Sequence, residues 1–247
     1  MEEFRAVLVV DAEKFSAHRD AELPEVHLEI RRVLAAACES SGLGELWAGV
    51  RFKESTGDGL LAVLPHEAVP ALIDPFPRCL QGVLGEAAPK LRARGLRLRL
   101  RVALHVGLVD DERPDAPGIS TATIDVCRLL DGEPLRDALE HSDPEVTFAV
   151  FLFSADLFAA YVAGGRSGLR ESQFTEVRVQ VKQYARPAYL YVPVPSGGRS
   201  PRAGRDVAAP RRPPSGGTSI SGVTISGDGS QSAFGNTVGG DFRQERS

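Results

Sequence analysis

The sequence predicts an α+β fold, helices packed on a largely antiparallel sheet, and three observations lead there. Residues 6–10 (AVLVV) form an unbroken apolar run of the length of a strand covered on both faces. Residues 50–65 (VRFKESTGDGLLAVLP) set two strand-prone runs around a Gly-Asp-Gly centre, the signature of a hairpin. Stretches between and after these carry apolar residues at helical spacing, as amphipathic helices laid on a sheet do.

The elements follow in order. The first strand stops at Asp11, and Pro24 then suits the first turn of a helix. Val26, Ile30, Val33, Leu34 and Ala37 share one face of that helix, and Gly42 ends it. His27 reads as surface, and Trp47, the only tryptophan, as a packing anchor ahead of the hairpin. Three prolines break residues 66–77 before Leu80, Val83, Leu84, Ala87 and Leu91 form a second helical stripe. From Leu96 to Val106 the period is two: leucines and valines alternate with Arg97, Arg99, Arg101, Ala103 and His105. That is a strand with its apolar side chains inward and a basic face outward. Its three arginines read as a phosphate-binding stripe, as a solvated face, or as partners of nearby acids. A loop over 107–118 and helices over 120–131 and 135–141 come next. A core strand over 146–153 leads to a helix over 155–163 with Ser154 as N-cap, and a hairpin over 175–192 closes the domain.

Composition narrows the function. Seven arginines against four acids make the stretch from Ser196 onward +3, which leaves −7 of the total −4 on residues 1–195. A mildly acidic domain lacks the basic face that neutralises phosphates, so nucleic acid is not its expected partner. Cys38, Cys79 and Cys127 are widely spaced in apolar helical contexts and read as small core residues in a reducing compartment. The N-terminal apolar run is short and ends in an acid, and no stretch has the length of a membrane span. The expectation is a cytoplasmic protein that does not enter a membrane.

The chemistry points to Asp11 and Asp58. One acid ends a core strand, and the other stands at a hairpin tip between two glycines that leave it open to close approach. Two such carboxylates suit Mg²⁺, which takes its other ligands from water and substrate phosphates.

These motifs, in this order, carry a resemblance. VVDAEKF ending the first strand, KESTGDG on the hairpin and LRLRVALHVGLV on the long strand resemble the class III nucleotidyl cyclase homology domain, most of all its short actinobacterial versions. The likeness covers about residues 4–194. It implies a ferredoxin-like βαββαβ sheet, a homodimer with its sites between subunits, and a nucleoside triphosphate bound with Mg²⁺ or Mn²⁺. Asp11 and Asp58 match the family's two metal-binding aspartates. Arg128 matches the arginine that steadies the transition state, and Lys182 is the candidate for the lysine that reaches the triphosphate. Glu54 falls where the family sets base choice, and an acid there suits a base presenting N–H donors, as guanine does; a one-residue shift gives the role to Lys53. One position departs from the pattern: Ile124 stands where the family places an asparagine, four residues before Arg128. The implied activity is therefore slow cyclisation of a nucleotide, or none. The competing expectation is a sensor that signals through its tail.

The tail is the third part of the chain. Residues 196–217 hold Pro, Gly, Ser and Arg with little to bury and read as a flexible linker. Residues 218–247 set Ile220, Val223, Ile225, Phe234 and Val238 in a Gly/Ser/Asn/Gln background. That stretch resembles the amyloid-signalling motifs of bacterial immunity proteins, with residues 231–244 as core, and implies an effector protein carrying a matching motif.

Overall fold

The computed structural model describes residues 1–50 and 52–196. Apart from its first residue, the linker from 196 lies outside the described residues, and so does the tail with its expected assembly core.

The first strand, β1 (Glu3–Ala12), is the sheet's axis, because every residue from Ala6 to Ala12 is buried. It leads into helix α1 (Leu23–Ser40), which starts at Leu23-Pro24 and buries Val26, Ile30, Val33, Leu34, Ala37 and Cys38. The short α2 (Gly44–Ala48) seats Trp47 in the core before the hairpin of β2 (Phe52–Ser55) and β3 (Gly59–Pro65). A short α3 (Val69–Ile73) precedes α4 (Phe76–Ala93), which returns the chain to β4 (Leu100–Val109). β1 is antiparallel to β3 and to β4, and β3 is antiparallel to β2. This half of the sheet, β2-β3-β1-β4, is the βαββαβ arrangement expected from the sequence.

Helices α5 (Thr121–Leu130) and α6 (Glu133–Glu140) then carry the chain to β5 (Ala149–Ser154), which lies parallel to β4. Ser120 caps α5 by accepting from the Thr123 backbone N–H at 3.2 Å. Ser154 opens one turn of α-helix, α7 (Ala155–Leu157), which widens into a π-helical turn over Phe158–Ala163 where a regular helix was expected. The hairpin β6 (Phe174–Val181) and β7 (Tyr184–Tyr191) completes a seven-stranded sheet in the order β2-β3-β1-β4-β5-β7-β6.

Both faces of the sheet are covered. Leu8, Val10, Leu64, Leu100 and Val102 face α1 and α4, while Val7, Val9, Val63, Ala103 and Leu152 lie under α5 and α6. Each of these leucines and valines contributes roughly 1.5–3 kcal/mol by leaving water. The second layer corrects one expectation. The basic face of the long strand is not solvated, because α5 and α6 lie across it and leave Arg101 and His105 only partly exposed. β4 also starts later than its alternation suggests and runs on to Val109. β1 ends at Ala12, so beyond one more contact, the Glu13 backbone N–H donating to the Arg99 carbonyl at 2.9 Å, residues 96–98 find no ladder partner. Among the described residues no helix is long and apolar enough to cross a membrane.

Candidate nucleotide-metal site

Register brings the two acids together. Asp11 pairs with Gly59 across the β1–β3 ladder, and the Ala12 backbone N–H donates to the Asp58 carbonyl at 3.0 Å. Gly59 is required at this crossing: a Cβ there would lie 1.8 Å from the Val10 carbonyl oxygen. Gly57, in the turn, has φ +91°, a conformation glycine adopts freely. The tip of the hairpin therefore presses against the end of β1, and Asp58 lies close enough for its charge to act on Asp11.

A third residue completes this group. Arg101 pairs with Asp11 across the β1–β4 ladder. Its Nε donates to Asp11 Oδ1 at 2.8 Å and its Nη2 to Oδ2 at 2.6 Å, the two-pronged geometry in which guanidinium best matches carboxylate. Asp11 is only 8% exposed. Burial pushes its carboxyl up to about 6, against the pull of Arg101 and the more distant Arg136. Arg99 donates to Glu13 through Nη1 alone, at 2.9 Å, so these two arginines are partners of acids. Arg97 stays largely exposed and, among the described residues, its ion-pair partner is Glu145, at 4.0 Å.

The other candidates lie elsewhere. Glu54 pairs with Leu61 and so shares the α5–α6 face with Asp11, where it is exposed. Lys53 pairs with Ala62 on the opposite face, donates to the Trp47 carbonyl at 2.6 Å and stands 4.9 Å from the centre of the Trp47 ring. Burial there lowers its pKa. Arg128, near the end of α5, binds Asp125 at 3.3 Å and lies over the Tyr184 ring at 5.6 Å. Lys182 is exposed in the β6–β7 turn with φ +54°, two residues from that ring. His105 feels Asp125, Asp156 and Arg186; its Nδ1 is buried without a hydrogen bond among the described residues, and burial lowers its pKa. Ile124 is 47% exposed. No hydrogen bond or ion pair among the described residues joins the Asp11 group to the Arg128 group. The sequence offers Arg101 only as one of three arginines of the stripe, without naming Asp11 as its partner, and Tyr184 not at all; the available signal is the period-two parity that puts Arg101 on the polar face of β4.

The donor set fits a divalent cation in kind. Two carboxylates are what Mg²⁺ asks of a protein, and no cluster of three or more metal-binding side chains exists among the described residues. The oxygens of Asp11 are engaged by Arg101, so a cation here must share or displace that partner.

The chain has the fold of nucleotide cyclase domains. It superposes on the guanylyl cyclase Cya2 with a TM-score of 0.55 at 15% identity, over 80% of this chain and 95% of that one. It superposes on the adenylyl cyclase CyaB from P. aeruginosa with a TM-score of 0.50 at 12% identity, over 82% and 97%. In sequence, no family model and no curated protein matches it.

Proposed function

We propose that the chain is a nucleotide-signalling protein whose first 195 residues bind a nucleoside triphosphate with a divalent cation held by Asp11 and Asp58. The observation that supports this is the meeting of both acids where the hairpin crosses the end of β1, on a sheet of cyclase type. A bound cation would lower the pKa of the attacking ribose 3′-hydroxyl and offset charge on the phosphates. The chain's own residues do the rest. Glu54 accepts from the base, as guanine allows. Arg128, and Lys182 from its exposed turn, offset charge on the phosphates of a substrate shared with a second subunit. The reaction is slow cyclisation: the 3′-oxygen gives up its proton and bonds to the α-phosphorus, the α–β phosphoanhydride bond breaks, and a cyclic mononucleotide and pyrophosphate leave. Ile124 offers no hydrogen bond where the ribose needs one, and a lost polar contact of this kind costs about a hundredfold or more.

The test is incubation of the full chain with each of the four nucleoside triphosphates plus Mg²⁺ or Mn²⁺, chromatography for cyclic products, and calorimetry of binding. Asp11→Asn and Asp58→Asn each abolish Mn²⁺-dependent nucleotide binding, and Ile124→Asn raises turnover. Unchanged affinity in both aspartate variants removes the site assignment. The exposed apolar Ile124 also supports a second reading, a domain without turnover that senses a nucleotide and signals through its tail. Binding without product in both the wild type and Ile124→Asn selects it.

A further inference from the structure

The ion pair at Asp11 has a consequence for how a cation reaches the site. Arg101 and Asp11 stand opposite each other in a continuous ladder, with side chains 15% and 12% exposed, so neither backbone can withdraw without breaking the sheet. While the pair is closed, the charges of Asp11 and Arg101 cancel and Asp58 alone remains as an anion. The Asp58 carboxylate makes no hydrogen bond or ion pair among the described residues; only the backbone carbonyl of Asp58 is engaged, by the Ala12 N–H. One carboxylate and water is a poor site for a divalent cation. Opening the pair restores two carboxylates, but it strands a largely buried guanidinium, which is costly unless another anion receives it.

We propose that Arg101 is an internal cation that bars divalent metal from Asp11 until a polyanion takes up its guanidinium. This deepens the nucleotide-metal reading and rests on it. Free metal competes directly with Arg101 and binds weakly. A metal–polyphosphate chelate brings cation and anion together, one for Asp11 and Asp58, the other for Arg101. The site thereby selects the chelate over the bare ion, and Arg101 acts by positioning Asp11.

Two measurements on the full chain test this. The first is Mn²⁺ binding without nucleotide, read by electron paramagnetic resonance, in wild type, Arg101→Gln and Arg101→Gln/Asp11→Asn, with circular dichroism as the folding control. Losing a two-pronged charged partner tightens Mn²⁺ binding by about tenfold to a hundredfold in Arg101→Gln, and the gain disappears in the double variant. Binding no tighter than wild type in a folded Arg101→Gln overturns the proposal. The second uses the wild type alone, so it stands whether or not the variant folds. The ¹⁵N resonance of the Arg101 Nε–H stays in place when Mg²⁺ is added and moves when Mg²⁺ and inorganic tripolyphosphate are added together. Movement with Mg²⁺ alone, as large as with the chelate, overturns the proposal. Failure of the nucleotide reading shows separately, as unchanged nucleotide affinity in the two aspartate variants.

Discussion

Arg99 separates a structural from a ligand-binding use of the basic stripe. A phosphate-binding Arg99 would be dispensable for folding; the geometry makes it a clamp. Its Nε donates to the Thr147 carbonyl at 3.0 Å, its Nη2 to the Leu139 carbonyl at 2.6 Å, and its Nη1 to Glu13 at 2.9 Å. These bonds tie the chain after β1, the entry to β4, the end of α6 and the approach to β5. Leu139 lies in the last turn of α6, where the helix dipole favours a cation; its carbonyl also accepts from the Ser142 backbone N–H at 3.2 Å and the Ser142 hydroxyl at 3.1 Å. Arg99→Met keeps the apolar stem and removes every donor. A hydrogen bond to a charged group is worth about 1.5–3 kcal/mol. The two short carbonyl contacts therefore put the loss near 3–5 kcal/mol, the range for removing one partner of a buried ion pair.

The assay is equilibrium unfolding in urea at neutral pH. With a slope of about 2 kcal/mol/M, the midpoint falls by roughly 1.5–2.5 M while the slope itself holds. Arg99→Lys recovers only part of the loss, since an ammonium cannot span acceptors set for a planar fork. Arg97→Ala is the control, because that side chain is 69% exposed. A loss below about 1 kcal/mol in Arg99→Met refutes the clamp, because the Thr147 carbonyl and the Glu13 carboxylate both lose their partner and should together cost more than that.

Two further outcomes follow. Burial lowers the pKa of His105, so the unfolded chain takes up a proton first as pH falls through about 6.5. The stability this imidazole contributes is present above that pH and lost below it. His105→Gln flattens that part of the plot of melting temperature against pH, whereas equal slopes in both proteins contradict it. Asp11 acts in the opposite sense: its raised carboxyl costs stability as pH rises from 3.8 to about 6, and it is common to both proteins. For the tail, a peptide spanning residues 218–244 forms thioflavin-positive fibrils and Phe234→Asp prevents them; a peptide that stays monomeric even when seeded ends the relay reading.

What was legible in the sequence was local. The stripe from Val26 to Ala37 needs only helical geometry to show which face is buried, and the fold buries each of those residues. Gly57 and Gly59 mark the hairpin because a tight turn between strands demands residues of their kind. What was not legible depended on register between distant segments. Ninety residues separate Asp11 from Arg101, and nothing in either strand says which residue of one will face which residue of the other. The burial of the basic face was hidden for a related reason. Alternation shows that a strand has two unlike faces, but not that later helices will cover the polar one.

Lys53 and Glu54 show where parity and register have to be combined. Neighbouring residues on a strand point to opposite faces, so only one of the two can share a face with Asp11. The sequence leaves open which residue that is; pairing of Glu54 with Leu61 and Lys53 with Ala62 puts Glu54 on the face of Asp11. The same crossing explains Gly59, which reads as a turn residue in the sequence. In the folded chain its missing Cβ is what lets β3 close on the Val10 carbonyl. A side chain there would push the hairpin off the end of β1 and separate Asp58 from Asp11. Asp58 therefore follows the end of β1 closely because a glycine stands beside it, and the site's geometry begins in the backbone.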